Sequence, residues 1–282
     1  MRKNLFLNKE LGEIYLGLLK KSLTRYIFDD GYLNLYQRSH GKVKHLLYGL
    51  IEKILNPFDL ELVKHKQFNP KLRREGKDWP ATAETMVGLY RLNNIQECMV
   101  NILSRNVPGD FIEAGVWRGG TTIFMRGVLK AYSITDRNVW AADSFKGLPK
   151  PSGDEYKKDV EDHLWTYRQL KVPLKKVKDN FSKYGLLDDQ VKFLVGWFKD
   201  TLPQAPIKKL ALVRLDGDMY ESTINALQAL YPKLSKGGYV IVDDYCLPQC
   251  RKAVHDFRAQ FGIKDPMRRI GWSGVFWQRN TL

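Results

Sequence analysis

FIEAGVWRGG, residues 111–120, is the stretch on which the fold turns. Its first four residues have the length and apolar character of a buried strand, and they pass directly into a turn holding Gly115, Gly119 and Gly120. TTIFMRGVL then continues with helical character. A strand, a glycine turn and a helix in that order open a doubly wound α/β sheet. In such sheets ligands sit beyond the carboxyl ends of the strands, and the first turn lets the backbone approach them. The glycine spacing departs from the dinucleotide fingerprint, because Glu113 opens an ExGxxxG pattern instead. A pyrophosphate binds best to free N–H groups with no anion beside them, whereas a sulfonium-bearing amino acid accepts a carboxylate. Glu113 therefore favours S-adenosylmethionine over a dinucleotide. Arg118 has two readings, as a partner of the cofactor carboxylate or of a protein acid.

Outward from this turn, short apolar runs alternate with helical stripes from residue 81 to the end, the pattern of a largely parallel sheet covered on both faces. Strands are expected at Asp110–Ala114, Asn138–Asp143, Val191–Val195, Leu210–Asp216 and Tyr239–Asp243, with Arg269–Phe276 as a final antiparallel pair. Helices fit between them at about 84–105, 120–133, 173–185, 221–234 and 250–262. Residues 81–282 then form one Rossmann-like domain.

Residues 1–80 read as a helical extension ending in a linker. Leu11, Ile14, Tyr15, Leu18, Leu19, Leu23, Tyr26 and Ile27 recur at helical spacing, as do Val43, Leu46, Leu47, Leu50, Ile51, Ile54 and Leu55. Both stripes are too apolar to stand in water, so these helices should pack on the main domain or on another subunit of a homo-oligomer. Residues 56–80, with three prolines and many charges, are expected to be linker. Of the net charge of +15, an excess of seven lies in the first 80 residues, dispersed between apolar positions. That reads as a solvated basic face, without the stripe or signature of a nucleic-acid site. No apolar run reaches membrane-spanning length, and the N-terminus lacks the apolar segment of a signal peptide. Cys98, Cys246 and Cys250 complete neither a disulfide framework nor a zinc site, and the expected compartment is the cytoplasm.

Four expected strands end in acids: Glu113, Asp143, Asp216 and the pair Asp243-Asp244. An acid at the position of Asp143 can take both ribose hydroxyls of an adenosine ligand. LVRLDGDMYES and YVIVDDY bring Asp216, Asp243 and Asp244 to one sheet edge, where three carboxylates repel one another and call for a cation. Hard oxygen ligands with room for water or substrate suit Mg2+. The competing reading is that these acids cap the helices that follow. Trp197 and Phe198 have two readings as well, as core aromatics or as a cover for a flat base.

GKDWPATAETMVGLYRLNNIQ, VPGDFIEAGVWRGGTTIFMRGVL, ADSFKGLP, VGWFKDTLP, LDGDMYEST and GGYVIVDDY, in this order over residues 76–282, together resemble the macrocin O-methyltransferase (TylF/MycF) family. The resemblance implies methyl transfer from S-adenosylmethionine to a hydroxyl of a sugar or glycosylated natural product, with Mg2+. It places Thr85 and Met86 in a segment closing over the methionine end of the cofactor. Glu113, Gly115, Val116 and Trp117 fall in the first turn, Asp143 and Ser144 at the ribose, and Gly196, Trp197 and Phe198 at the adenine. The metal ligands it implies are Asp216, Asp243 and Asp244. Asp216 is the candidate general base, with Asp218 and His163 open, His163 lying in an insertion that could form a lid. The alternative to an enzyme is a non-catalytic cofactor-binding or assembly protein that uses its basic N-terminal helices.

Overall fold

Helix α1 (Arg2–Leu23) opens the computed structural model, which describes residues 2–28, 32–36, 39, 41–65, 67–152, 156–160 and 162–280. Strand β1 (Tyr32–Asn34), helix α2 (Lys42–Leu55), strand β2 (Val63–His65) and helix α3 (Pro70–Glu75) complete the N-terminal region. The stretch expected to be linker is thus partly ordered into regular elements. Asn69-Pro70, which looks like a helix breaker, is a helix start: the Asn69 side chain accepts from the N–H groups of Lys71 and Leu72, and Pro70 has no N–H to lose. Strands β1 and β2 pair antiparallel across α2, each too short to show a period in the sequence.

Helix α4 (Leu89–Ser104) begins five residues later than its expected start, because Gly88 in extended conformation is its N-cap. Residues 81–88 consequently run as an open segment beside the sheet. There follow β3 (Asp110–Ala114), α5 (Gly120–Ala131), β4 (Val139–Asp143), α6 (Leu174–Lys183), β5 (Val191–Val195), the short α7 (Phe198–Thr201), β6 (Leu210–Leu215), α8 (Tyr220–Leu230), β7 (Leu234–Val242), α9 (Pro248–Gln260), β8 (Arg268–Ile270) and β9 (Gly274–Gln278). The sheet order is β5-β4-β3-β6-β7-β9-β8. Strands β5 to β7 are mutually parallel along that order, while β9 runs antiparallel to both β7 and β8. This is the expected doubly wound, Rossmann-like sheet. The final antiparallel pair expected at Arg269–Phe276 is β8 and β9, joined by a turn at Gly271 to Ser273.

The sheet separates two apolar cores. One packs α4, α5 and α6 around Phe111, Phe124 and Phe181; the other packs α8 and α9 around Trp277, Phe257 and Leu227. Helix α1 joins the first core through Leu16, Leu19 and Leu23, each contributing about 1.5–3 kcal/mol by burial. Leu19 lies against Gly127 of α5, where a side chain would collide with it. The stripe seen in the sequence is therefore divided, because Leu11, Ile14 and Leu18 face solvent. Helix α2 differs more sharply. Val43, Leu46, Leu47, Leu50 and Ile54 are all exposed, and its buried residue is Glu52.

Candidate active site

The strand order reverses between β3 and β6, and that is where the crevice of a doubly wound sheet opens. The two strand ends come together there without room for a side chain. Gly115, at φ +92°, would place a Cβ 1.8 Å from the Asp216 carbonyl oxygen. The turn that follows holds Trp117 and Gly119 in left-handed conformations before α5 begins.

A cavity of about 1000 Å³, its open mouth included, extends across these ends. Met86, Gly115, Trp117, Asp143, Ser144, Gly196, Trp197 and Phe198 line it, together with Asp216 and Asp218. The structure thus brings most of the expected cofactor residues around one space. Asp143 holds the turn as well as facing the cavity: its Oδ2 accepts from Val116 N at 2.9 Å and its Oδ1 from Phe145 N at 2.7 Å. Burial raises the Asp143 carboxyl above its usual value against the pull of these N–H groups.

Thr85, Glu113 and Val116 are buried behind the wall. Thr85 Oγ1 accepts from Val87 N and fixes the open segment. The correction is largest for Glu113. Its carboxylate does not reach the cavity but lies in the core, paired with Arg214 and accepting from Thr122. Burial pushes the Glu113 carboxyl up to about 7 even though Arg214 opposes the shift. Arg118 Nη1 donates to Ala81 O and Ala83 O, tying the turn to the open segment.

Asp216, Asp243 and Asp244 do converge, their carboxylate oxygens lying within 4.8 Å of one another. Helix capping does not account for them. Helix α8 is capped from a distance by Asp159, which accepts from the N–H groups of Tyr220 and Glu221, and α9 starts without a side-chain cap. The repulsion between the three acids is met in part by protein cations, which sequence reasoning missed. Arg214 is fully buried, and its Nη2 lies 2.9 Å from Asp216 Oδ2 and 2.7 Å from Asp243 Oδ1. Arg91 pairs with the other oxygen of Asp243. Arg214 could have been found, because a lone charge in the buried run LALVRL needs a partner and Glu113 stands opposite it in register.

Two guanidiniums face five carboxyls there, Glu113, Asp216, Asp243 and, nearby, Asp218 and Asp244. Burial raises Asp244 well above its usual value, and Asp216, Asp218 and Asp243 raise it further. Asp243 is the exception: burial opposes its ionisation, but Arg214 and Arg91 hold its carboxyl below the ordinary value. A compact set of hard carboxyl oxygens that outnumber the two guanidiniums, beside a cavity, fits Mg2+.

The insertion between β4 and α6 lies over the cavity, which Gly147, Leu148, Pro149, Lys150, Ser152 and Leu170 help to line. Trp117 Nε1 donates to Gln169 O at 2.8 Å, and Gln249 Nε2 donates to Asp162 Oδ2 at 3.2 Å. His163 is exposed at the start of a short 3-10 turn and does not line the cavity. Among the described residues no helix is long and apolar enough to cross a membrane.

The family model described as macrocin O-methyltransferase (TylF) matches residues 12–279. The chain is 47% identical to an 8-demethyl-8-(2,3-dimethoxy-alpha-L-rhamnosyl)-tetracenomycin-C 4'-O-methyltransferase of Streptomyces olivaceus, over 98% of this chain and 96% of the relative. It is 45% identical to the mycinamicin III 3''-O-methyltransferase of Micromonospora griseorubida, over 95% of this chain and 97% of that one. The solved structure of the O-methyltransferase NovP matches with a TM-score of 0.82 at 44% identity, covering 96% of this chain and 100% of the other.

Proposed function

Because the chain belongs to the macrocin O-methyltransferase (TylF) family and is an S-adenosylmethionine-dependent O-methyltransferase, we propose that it methylates a sugar hydroxyl of a glycosylated natural product with the help of Mg2+. The observation that carries this reading is the single cavity running from the ends of β4 and β5, at Asp143 and Trp197, to the carboxylates at the end of β6. Relatives named for a rhamnosyl tetracenomycin and for mycinamicin III support a sugar-bearing acceptor. Family membership sets aside the non-catalytic alternative.

In this reading Asp143 and Ser144 take the ribose, and Trp197 and Phe198, which line the same cavity, cover the adenine. S-adenosylmethionine bound there supplies an electrophilic methyl group. Asp216, Asp243 and Asp244 would hold Mg2+, which lowers the pKa of a hydroxyl brought to it and fixes its position. Asp216 is tied to Arg214, a poor setting for a base, so the proton of the hydroxyl falls to Asp218. Asp218 lines the cavity two residues further on, and its carboxylate forms no ion pair among the described residues. Proton removal there and attack of the hydroxyl oxygen on the methyl carbon yield the ether, as the methyl–sulfur bond breaks with its electrons going to sulfur and the neutral thioether S-adenosylhomocysteine leaves.

Calorimetric titration of the purified protein tests the cofactor reading. Binding of S-adenosylmethionine and not of NAD is expected. A panel of rhamnosylated glycosides should then show turnover that EDTA removes and Mg2+ restores. Turnover unaffected by EDTA would end the metal role.

Residues 81–282 carry this chemistry in our reading, and the extension before them serves assembly. Contiguous exposed apolar surface marks interaction sites, and Val43 (80% exposed), Leu46 (68%) and Ile54 (67%) make such a surface on α2. A second copy is the expected partner. The double substitution Leu46→Glu with Leu50→Glu should convert the oligomer to monomer in light scattering, and an unchanged mass would exclude this face.

A further inference from the structure

Arg91 approaches Asp243 from outside the sheet. It stands in the first turn of α4, is 8% exposed, and pairs through Nη1 with Asp243 Oδ2. Its Nη2 lies 3.4 Å from the carbonyl oxygen of Gly76. Gly76 is the left-handed C-cap of α3, at φ +67°, and packs backbone to backbone on Gly88. A Cβ at Gly76 would stand 2.5 Å from Arg91 Nη2 and 2.6 Å from Gly88 N. The guanidinium therefore fills a slot whose far wall belongs to the N-terminal region.

That wall is itself fixed. Arg73 pairs with Asp78 at 2.7 Å and donates through Nη1 to Thr24 O at 2.5 Å, and Trp272 Nε1 donates to Glu75 O at 3.1 Å. Arg214 governs Asp216 and one oxygen of Asp243 from within β6. The other oxygen of Asp243 depends on a residue seated against the extension.

We propose that Arg91 is a positioning residue that sets metal affinity by orienting the Asp243 carboxylate, and that the Gly76 backbone seats it. The inference rests on the reading of Asp216, Asp243 and Asp244 as metal ligands. Partners outside the ligand shell that orient ligands typically change metal affinity by about 10–100-fold when removed. A plain counter-charge behaves differently, because its removal beside a cation site strengthens the attraction for the metal. The sign of the effect separates the two.

The test is titration of the full-length, cofactor-free protein with Mn2+, followed by electron paramagnetic resonance of the free ion, for wild type, Arg91→Lys, Arg91→Met and Gly76→Ala. Lysine keeps the charge but not the fork, and Gly76→Ala keeps every charge while crowding Nη2. Each variant is expected to bind Mn2+ about tenfold or more weakly. Affinity for S-adenosylmethionine should stay within about twofold, which also reports that the variants are folded. Tighter Mn2+ binding by Arg91→Met, or wild-type affinity in Arg91→Lys and Gly76→Ala, overturns the proposal. Failure of the wild type to bind Mn2+ removes the metal reading and this inference with it, a result distinct from variants that match a binding wild type.

Discussion

Asp218→Asn lowers kcat by about three orders of magnitude while leaving the affinities for S-adenosylmethionine and Mn2+ within about twofold, as expected for loss of a general base. The asparagine keeps the shape of the side chain and tolerates the left-handed backbone at this position, φ +58°, so no new strain enters. The backbone stays anchored: Asp218 N donates to Asp244 Oδ2 at 3.1 Å, and Asp218 O accepts from Gln249 Nε2 at 3.0 Å. Asp216→Asn provides the contrast. It removes a ligand carboxylate, so Mn2+ binding and turnover fall together. Single-turnover assays with both variants decide the assignment, and wild-type rates for Asp218→Asn would return the proton to Asp216.

Arg214→Met is the largest expected loss of stability. Its guanidinium has no exposed surface and meets Glu113, Asp216 and Asp243, so truncation leaves buried carboxylates without their shared cation. Breaking a buried ion pair from one side costs about 3–5 kcal/mol. For a domain of this size that lowers the melting temperature by about 10 °C. Adding Glu113→Leu to Arg214→Met removes one of the stranded charges and should recover part of the loss. Melting of Arg214→Met within about 2 °C of wild type, by calorimetry, would show that the network contributes little.

The sheet was legible because its strands are bounded by chemistry visible in one dimension. The expected ranges for β3 and β5 are the observed ones, each apolar run stopping at a glycine. The small pairing of β1 with β2 was not legible, since three-residue strands carry no period. Convergence of Asp216, Asp243 and Asp244 could be read from strand ends alone. Of their two counter-ions Arg214 left a trace in its buried strand, but Arg91 did not, because it is 152 residues from its partner Asp243 and arrives from a helix. Glu113 misled for a related reason: a carboxylate at a strand end has two faces to choose from, and the register with Arg214 turned it inward.

The covering insertion is fastened at a few points, and they have a consequence for how such enzymes diversify. Ser144 closes its first turn on Gly147 O, Asp159 caps α8, Asp162 holds Gln249, and the Gln169 carbonyl receives Trp117. Among the described residues, the chain between these fastenings contributes no strand to the sheet. Gly147, Leu148, Pro149, Lys150 and Ser152 line the cavity, so exchanging residues 148–152 between relatives, with the fastenings kept, is expected to shift acceptor preference by grafting while affinity for S-adenosylmethionine stays within about twofold.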